Sequence, residues 1–131
     1  MPFGKTSLER LATCHAELQD IIHLAMGGID AGDLAYAGIY DMTVLCGFRG
    51  QFEQDDAVSR GTSKVRWPNS RHNRDPSDAV DIAVYPVQWK APGYELKMDI
   101  LHAYVTGVAR SLGIELYHIS WDRPHIQRKV P

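Results

Sequence analysis

The sequence predicts an α+β fold, on three observations. Two long segments, one near each end, carry apolar residues at helical spacing, and four short β-prone runs lie between and after them. The chain has 131 residues, 44% of them apolar, which suits one hydrophobic core, so residues 1–131 are expected to form a single domain.

The elements follow in order. From Ser7 onward, Leu8, Leu11, Leu18, Ile21, Ile22 and Ala25 recur at spacings near three and four, which predicts one long amphipathic helix. Thr6 and Glu9 form a candidate capping box, and Gly27-Gly28 supplies the stop. The stretch to Asp41, rich in Gly, Ala and Asp, reads as loop or short turns. Met42–Cys46 is a β-prone run ended by Gly47, and Gln51–Ser59 reads as a polar helix closed by Gly61. Residues 62–78 include Pro68, Pro76, Asn69, Asn73 and four basic residues. They are too polar and broken for a core element, so their order must come from another source, such as a metal. Residues 79–85 (AVDIAVY) predict a central strand stopped by Pro86. Leu96, Ile100, Leu101, Tyr104, Val105, Val108 and Leu112 set a helix over 94–112, with Gly113 at its end. Short strands near 114–117 and 125–128 complete the pattern. Cys14 and Cys46 fall in a predicted helix and strand, where a thiol is expected to pack as a small apolar group without chemistry.

With 14 basic and 16 acidic side chains the formal charge is only -2, so no broad positive field points to nucleic acid or an anionic membrane. No apolar run approaches the ~20 residues that span a bilayer, and the opening MPFGKTSLER lacks the apolar region of a secretory signal. A monomer without a membrane anchor, made in the cytoplasm, is the expectation.

Hydrolytic zinc sites use three imidazole or carboxylate ligands and an open fourth position for water. His72 lies in the irregular segment and Asp81 nine residues on, close enough for the loop to fold back and bring both to one ion. The alternative is an exposed histidine and a strand aspartate paired with an arginine. Asp81 interrupts an otherwise apolar strand, where a carboxylate is costly unless paired or bound to metal. Asp122 stands three residues before His125, with Pro124 stiffening the approach, so a base and a third ligand can share one strand entrance.

These residues belong to a series of blocks: Gly47-Phe48-Arg49, Gln54, Gly61-Thr62-Ser63-Lys64, Ser70-Arg71-His72, Ala79-Val80-Asp81-Ile82 and Asp122-Arg123-Pro124-His125. In order and spacing they resemble the superfamily of zinc D-alanyl-D-alanine carboxypeptidases and L-alanyl-D-glutamate endopeptidases, which includes VanY-like enzymes and many phage endolysins. The opening segment, with Leu11, His15 and Leu18, is similar to the start of small phage members.

The resemblance implies a small antiparallel sheet with helices packed on one side, as in hedgehog and D-alanyl-D-alanine peptidase domains. It implies Zn2+ held by His72, Asp81 and His125, with Asp122 as catalytic base. Arg49 would bind the substrate carbonyl or carboxylate and stabilise the oxyanion. Ser70 would orient the substrate or the first ligand, while Gln54 and Ser63 hold the loop. The implied substrate is the peptidoglycan stem peptide, with L-alanyl-D-glutamate endopeptidase ranked before D-alanyl-D-alanine carboxypeptidase. A phage or prophage endolysin, kept in the host cytoplasm until released to the wall, fits the size.

Two features depart from the family pattern. The stretch between His72 and Asp81 is two residues longer than its commonest form, within Asp75-Pro76-Ser77-Asp78, and Leu116 to Trp121 runs straight into Asp122 without the usual glycine-rich segment. His118 is a weaker candidate ligand than His125, lacking an acid three residues before it, and His15, His23 and His102 fall on predicted helices as ordinary histidines. Lys64, Arg66, Arg71 and Arg74 form either a solvated face or an attraction for an anionic substrate, and Trp67 and Trp89 either line the cleft or pack. The rival readings are a non-catalytic zinc-binding module or a phage structural component that only binds cell wall, neither of which has a use for Asp122, and a metal nuclease, which the near-neutral charge disfavours.

Overall fold

A computed structural model describes residues 3–118 and 122–129. Among these residues, four α-helices accompany one four-stranded antiparallel sheet, which agrees with the expected α+β class. The elements are α1 (Lys5–Leu11), α2 (Ala16–Asp30), β1 (Met42–Cys46), α3 (Gln51–Ser59), β2 (Ala79–Val84), α4 (Tyr94–Ser111), β3 (Leu116–His118) and β4 (His125–Arg128). The sheet order is β1-β2-β4-β3. β2 is therefore central, and its six residues are all buried, as its apolar run predicts.

The single long N-terminal helix is corrected to two. The chain leaves α1 after Leu11 and starts α2 at Ala16, because tertiary hydrogen bonds hold the joint. Ser77 donates its N–H to the Thr13 carbonyl (2.9 Å), and His15 donates its own to the Ser77 carbonyl (2.8 Å). The His15 ring then caps α2, its Nδ1 accepting from the Glu17 N–H at 3.1 Å. The capping box also fails: α1 begins at Lys5 after Gly4, with no side-chain cap. Gly27-Gly28 does not stop α2, which continues to Asp30. Tyr104 of α4 supplies the reason for a glycine there. Its hydroxyl bonds to Asp33 at 2.7 Å, and a Cβ on Gly28 would lie 1.8 Å from that oxygen. Close helix packing outweighs glycine's poor helical propensity.

The core fills the space between the helices and one face of the sheet. Leu18, Ile21, Ile22 and Ile29 of α2 meet Met98, Leu101 and Val105 of α4, with Val44, Val80, Ile82 and Ile126 from the strands. Alternation along β2 then turns Asp81 to the opposite face from Val80 and Ile82. Residues 62–78 have one turn of 3-10 helix at Arg71–Asn73. Hydrogen bonds contribute to the order of this segment. Buried Gln54 donates to Ser63 Oγ (2.9 Å) and the Val65 carbonyl (2.6 Å), and its Oε1 accepts from Arg49 (3.0 Å) and Asn73 (3.1 Å). Gln54 and Ser63 thus hold the loop. No helix among the described residues is long and apolar enough to cross a membrane.

Candidate metal centre

Sheet register builds two corners of the site. Asp81 pairs with His125 on β4 and with Cys46 on β1, so the three residues lie side by side across the sheet. A bulge between Val44 and Cys46 sets this alignment, placing Cys46 rather than Leu45 opposite Asp81. The third corner is His72, from the 3-10 turn. Ser70 Oγ accepts the His72 N–H (3.2 Å), and Asn73 Oδ1 accepts the Ser70 N–H (3.1 Å). The His72 carbonyl in turn accepts the Arg49 N–H at 2.7 Å.

The distances bear directly on metal fit. His72 Nε2 lies 3.1 Å from Asp81 Oδ1 and 3.2 Å from His125 Nδ1, and the latter two atoms are 3.3 Å apart. Ligands about 2.0–2.1 Å from a tetrahedral zinc stand about 3.3 Å from one another, so this triangle matches one face of such a site. The tautomers agree. His72 Nδ1 donates to the Gly47 carbonyl (2.7 Å) and His125 Nε2 to Gln127 Oε1 (2.9 Å), which leaves two imidazole lone pairs and a carboxylate oxygen converging. With both rings neutral these three acceptors can share one cation, and the outer hydrogen bonds are of the kind that orient metal-binding histidines.

A proton can take the same place. Burial works against charge on His72, but the Asp81 carboxylate outweighs it and raises the ring to about 10. Burial likewise opposes charge on Asp81, and the two histidines hold its carboxyl well below the usual range. Asp122 differs: burial and the Asp81 charge raise its carboxyl, which suits a group that takes and returns a proton. Its Oδ2 lies 3.8 Å from His125 Nδ1, and Asp81, Asp122 and His125 have ligand atoms grouped closely enough to share an ion.

The structure brings every sequence-predicted site residue to one cleft of about 400 Å³, whose lining includes Arg49, Ser70, His72, Asp81, Asp122 and His125. Arg49 Nη2 is 3.7 Å from Asp81 Oδ2, so the aspartate–arginine pairing weighed as an alternative coexists with the histidine cluster. Sequence reasoning missed Cys46. Its thiol, expected to be inert, accepts from Arg49 Nη2 at 3.6 Å and has its sulfur among a second close group of donors with His72 and Asp81. Burial raises its pKa, but the neighbouring His72 and the Arg49 charge together outweigh that and lower it. Gln127 was missed too, though its place two residues after His125, on the same face of the strand, was the available signal. His118 stands away from the triangle and bonds instead to His102 (2.9 Å) and Thr106 (2.8 Å). Of the basic cluster, Arg71 lines the cleft and Arg74 pairs with Asp78. Trp89 packs edge-on against Tyr94. The stretch before Asp122 that departs from the family pattern includes residues 119–121, which lie outside the described residues.

Fold and site together define a small α+β domain whose sheet and one polar loop converge on a cluster of histidine and carboxylate donors. No model of a known protein family matches the chain, and no curated protein does. Among solved structures it is similar to the L-Ala D-Glu endopeptidase ChiX of Serratia marcescens, with 27% sequence identity and a TM-score of 0.69. The match covers 98% of this chain and 90% of that one, and supports the peptidase superfamily.

Proposed function

We propose that residues 1–131 form a single zinc peptidase domain that hydrolyses the peptidoglycan stem peptide, at the L-alanyl-D-glutamate bond before any other. The observation that carries this reading is the triangle of His72 Nε2, Asp81 Oδ1 and His125 Nδ1, with Asp122 beside it. The similarity to a solved L-Ala D-Glu endopeptidase supports the choice of bond.

His72, Asp81 and His125 would hold the ion. Bound zinc supplies Lewis acidity, which polarises a carbonyl and acidifies water. Asp122 takes the water's proton and delivers it to the leaving amine, a task helped by its raised pKa. Arg49, held by Gln54 and lying against Asp81, offers a guanidinium to the carbonyl oxygen as negative charge develops there. Ser70 fixes the turn that carries His72. A role as a monomeric phage or prophage endolysin, held in the host cytoplasm until wall release, accords with this chemistry.

Asp122→Asn tests the reading. The variant is expected to keep about one zinc per chain by elemental analysis and to lose muropeptide hydrolysis. Digestion of sacculi at the parent's rate would remove Asp122 from the base role. Mass spectrometry of the parent's digest separates endopeptidase from D-alanyl-D-alanine carboxypeptidase, since only the latter releases free D-alanine. A non-catalytic zinc module would leave sacculi intact.

A further inference from the structure

A second groove meets the metal centre at His125. It has a volume of about 580 Å³ and runs along α4, with β3 and Arg123 on its other side. Its floor is one helical face: Asp99, Ala103, Gly107 and Arg110 succeed one another at spacings of three and four. Small residues keep the floor low, and a Cβ built on Gly107 would meet nothing within 4 Å. The eleven-residue step from Asp99 to Arg110 spans about 16 Å, which is the length of about five extended residues.

We propose that this groove binds the carboxylate-bearing arm of the substrate peptide on one side of the scissile bond, with Arg110 receiving the carboxylate. The proposal rests on the peptidase reading above and names a subsite for it. A peptidase must hold its substrate on both sides of the bond, and the groove and the cleft with Arg49 meet at His125, so that each can take one side.

Charge complementarity picks the arm. Arg123 pairs with both Asp99 and Glu95, one cation against two acids, so this end of the groove has no positive charge to spare. His102 and His118 are hydrogen-bonded to each other, and burial lowers both, His102 to about 4, so this wall is neutral at physiological pH. Arg110 is exposed and makes no ion pair among the described residues, which leaves the far end of the groove positive. A planar guanidinium there matches a carboxylate in two-point contact.

The test uses zinc-loaded Asp122→Asn protein, a stem tetrapeptide with free carboxylates, and the same peptide with them amidated. Isothermal titration calorimetry compares this parent with Arg110→Glu and Gly107→Leu made in it. Arg110→Glu is expected to weaken the acidic peptide about tenfold or more and to leave the amide unchanged, the loss of one charge-assisted contact. Gly107→Leu, which fills the floor, is expected to weaken both. Equal binding of the acidic peptide by the parent and Arg110→Glu overturns the groove, as does equal weakening of acid and amide. If the chain with Asp122 intact cleaves stem peptide while either result holds, the groove alone is wrong. If that chain cleaves none and the parent binds neither peptide, the peptidase reading falls with it.

Discussion

Gly47 couples the fold to the metal centre, and Gly47→Ala tests that coupling. A Cβ at this position would lie 2.3 Å from the Arg10 carbonyl oxygen and 2.4 Å from Thr13 Oγ1, where ordinary contact begins at 3.4 Å. The difference, 3.4 minus 2.3, requires about 1 Å of movement in the α1–α2 joint. That joint is fixed by Thr13 Oγ1, which donates to Arg10 (2.6 Å) and accepts from the Phe48 N–H (2.8 Å). Overpacking costs about 1–3 kcal/mol and one lost hydrogen bond about 1 kcal/mol, while the reduced freedom of the unfolded chain returns about 0.5 kcal/mol. The net loss is about 2.5 kcal/mol, equivalent to a fall in Tm of roughly 9 °C. The Gly47 carbonyl also holds His72 Nδ1, so zinc affinity should fall by about tenfold or more. Thermal melts of chelated protein and zinc competition against a chromophoric chelator measure the two effects. A variant that melts within about 1 °C of the parent, with equal zinc affinity, refutes the close-approach argument.

Three further outcomes are expected. In chelated protein, His72 rises from 6.5 unfolded to about 10 folded, so its contribution to stability is complete below pH 6.5 and is lost as pH climbs through 10. Asp81, lowered on folding from 3.8, contributes above pH 4 and loses this in acid. Urea midpoints across pH should therefore peak between these limits, and a flat profile to pH 10 would remove the ion pair from the account. Gln127→Leu frees His125 Nε2 and should weaken zinc roughly tenfold or more while barely moving the chelated Tm; unchanged affinity would mean that the Gln127 bond does not orient the ring. Cobalt-substituted protein should lack a thiolate charge-transfer band, and Cys46→Ser should still hold one metal; such a band would exchange His125 for Cys46 in the ligand set.

Much of this architecture was legible in local sequence. The runs Met42–Cys46 and Ala79–Val84 and the period of Tyr94–Ser111 encode their own elements, because burial of one face or of a whole central strand dictates which residues recur. Asp81 announced itself as a polar residue inside an apolar strand, and Asp122 and His125 by their spacing. What sequence misread were places where distant segments decide the local outcome. The N-terminal stripe continues through residues 12–15, yet bonds to Ser77 break the helix there, and Gly28 stays helical because Tyr104 packs over it.

The sequence by itself singled out the candidate donors His72, Asp81, Asp122 and His125, since a histidine or carboxylate in an apolar or broken segment is visible without coordinates. Only the tertiary structure decided their company. Strand register and one bulge set Cys46 beside Asp81, Gly47 and Gln127 fixed the two rings, and the bare face of α4 opened a groove beside His125. Pairing register, hydrogen-bond partners and uncovered surface arise between segments far apart in the chain, and no local pattern of residues records them.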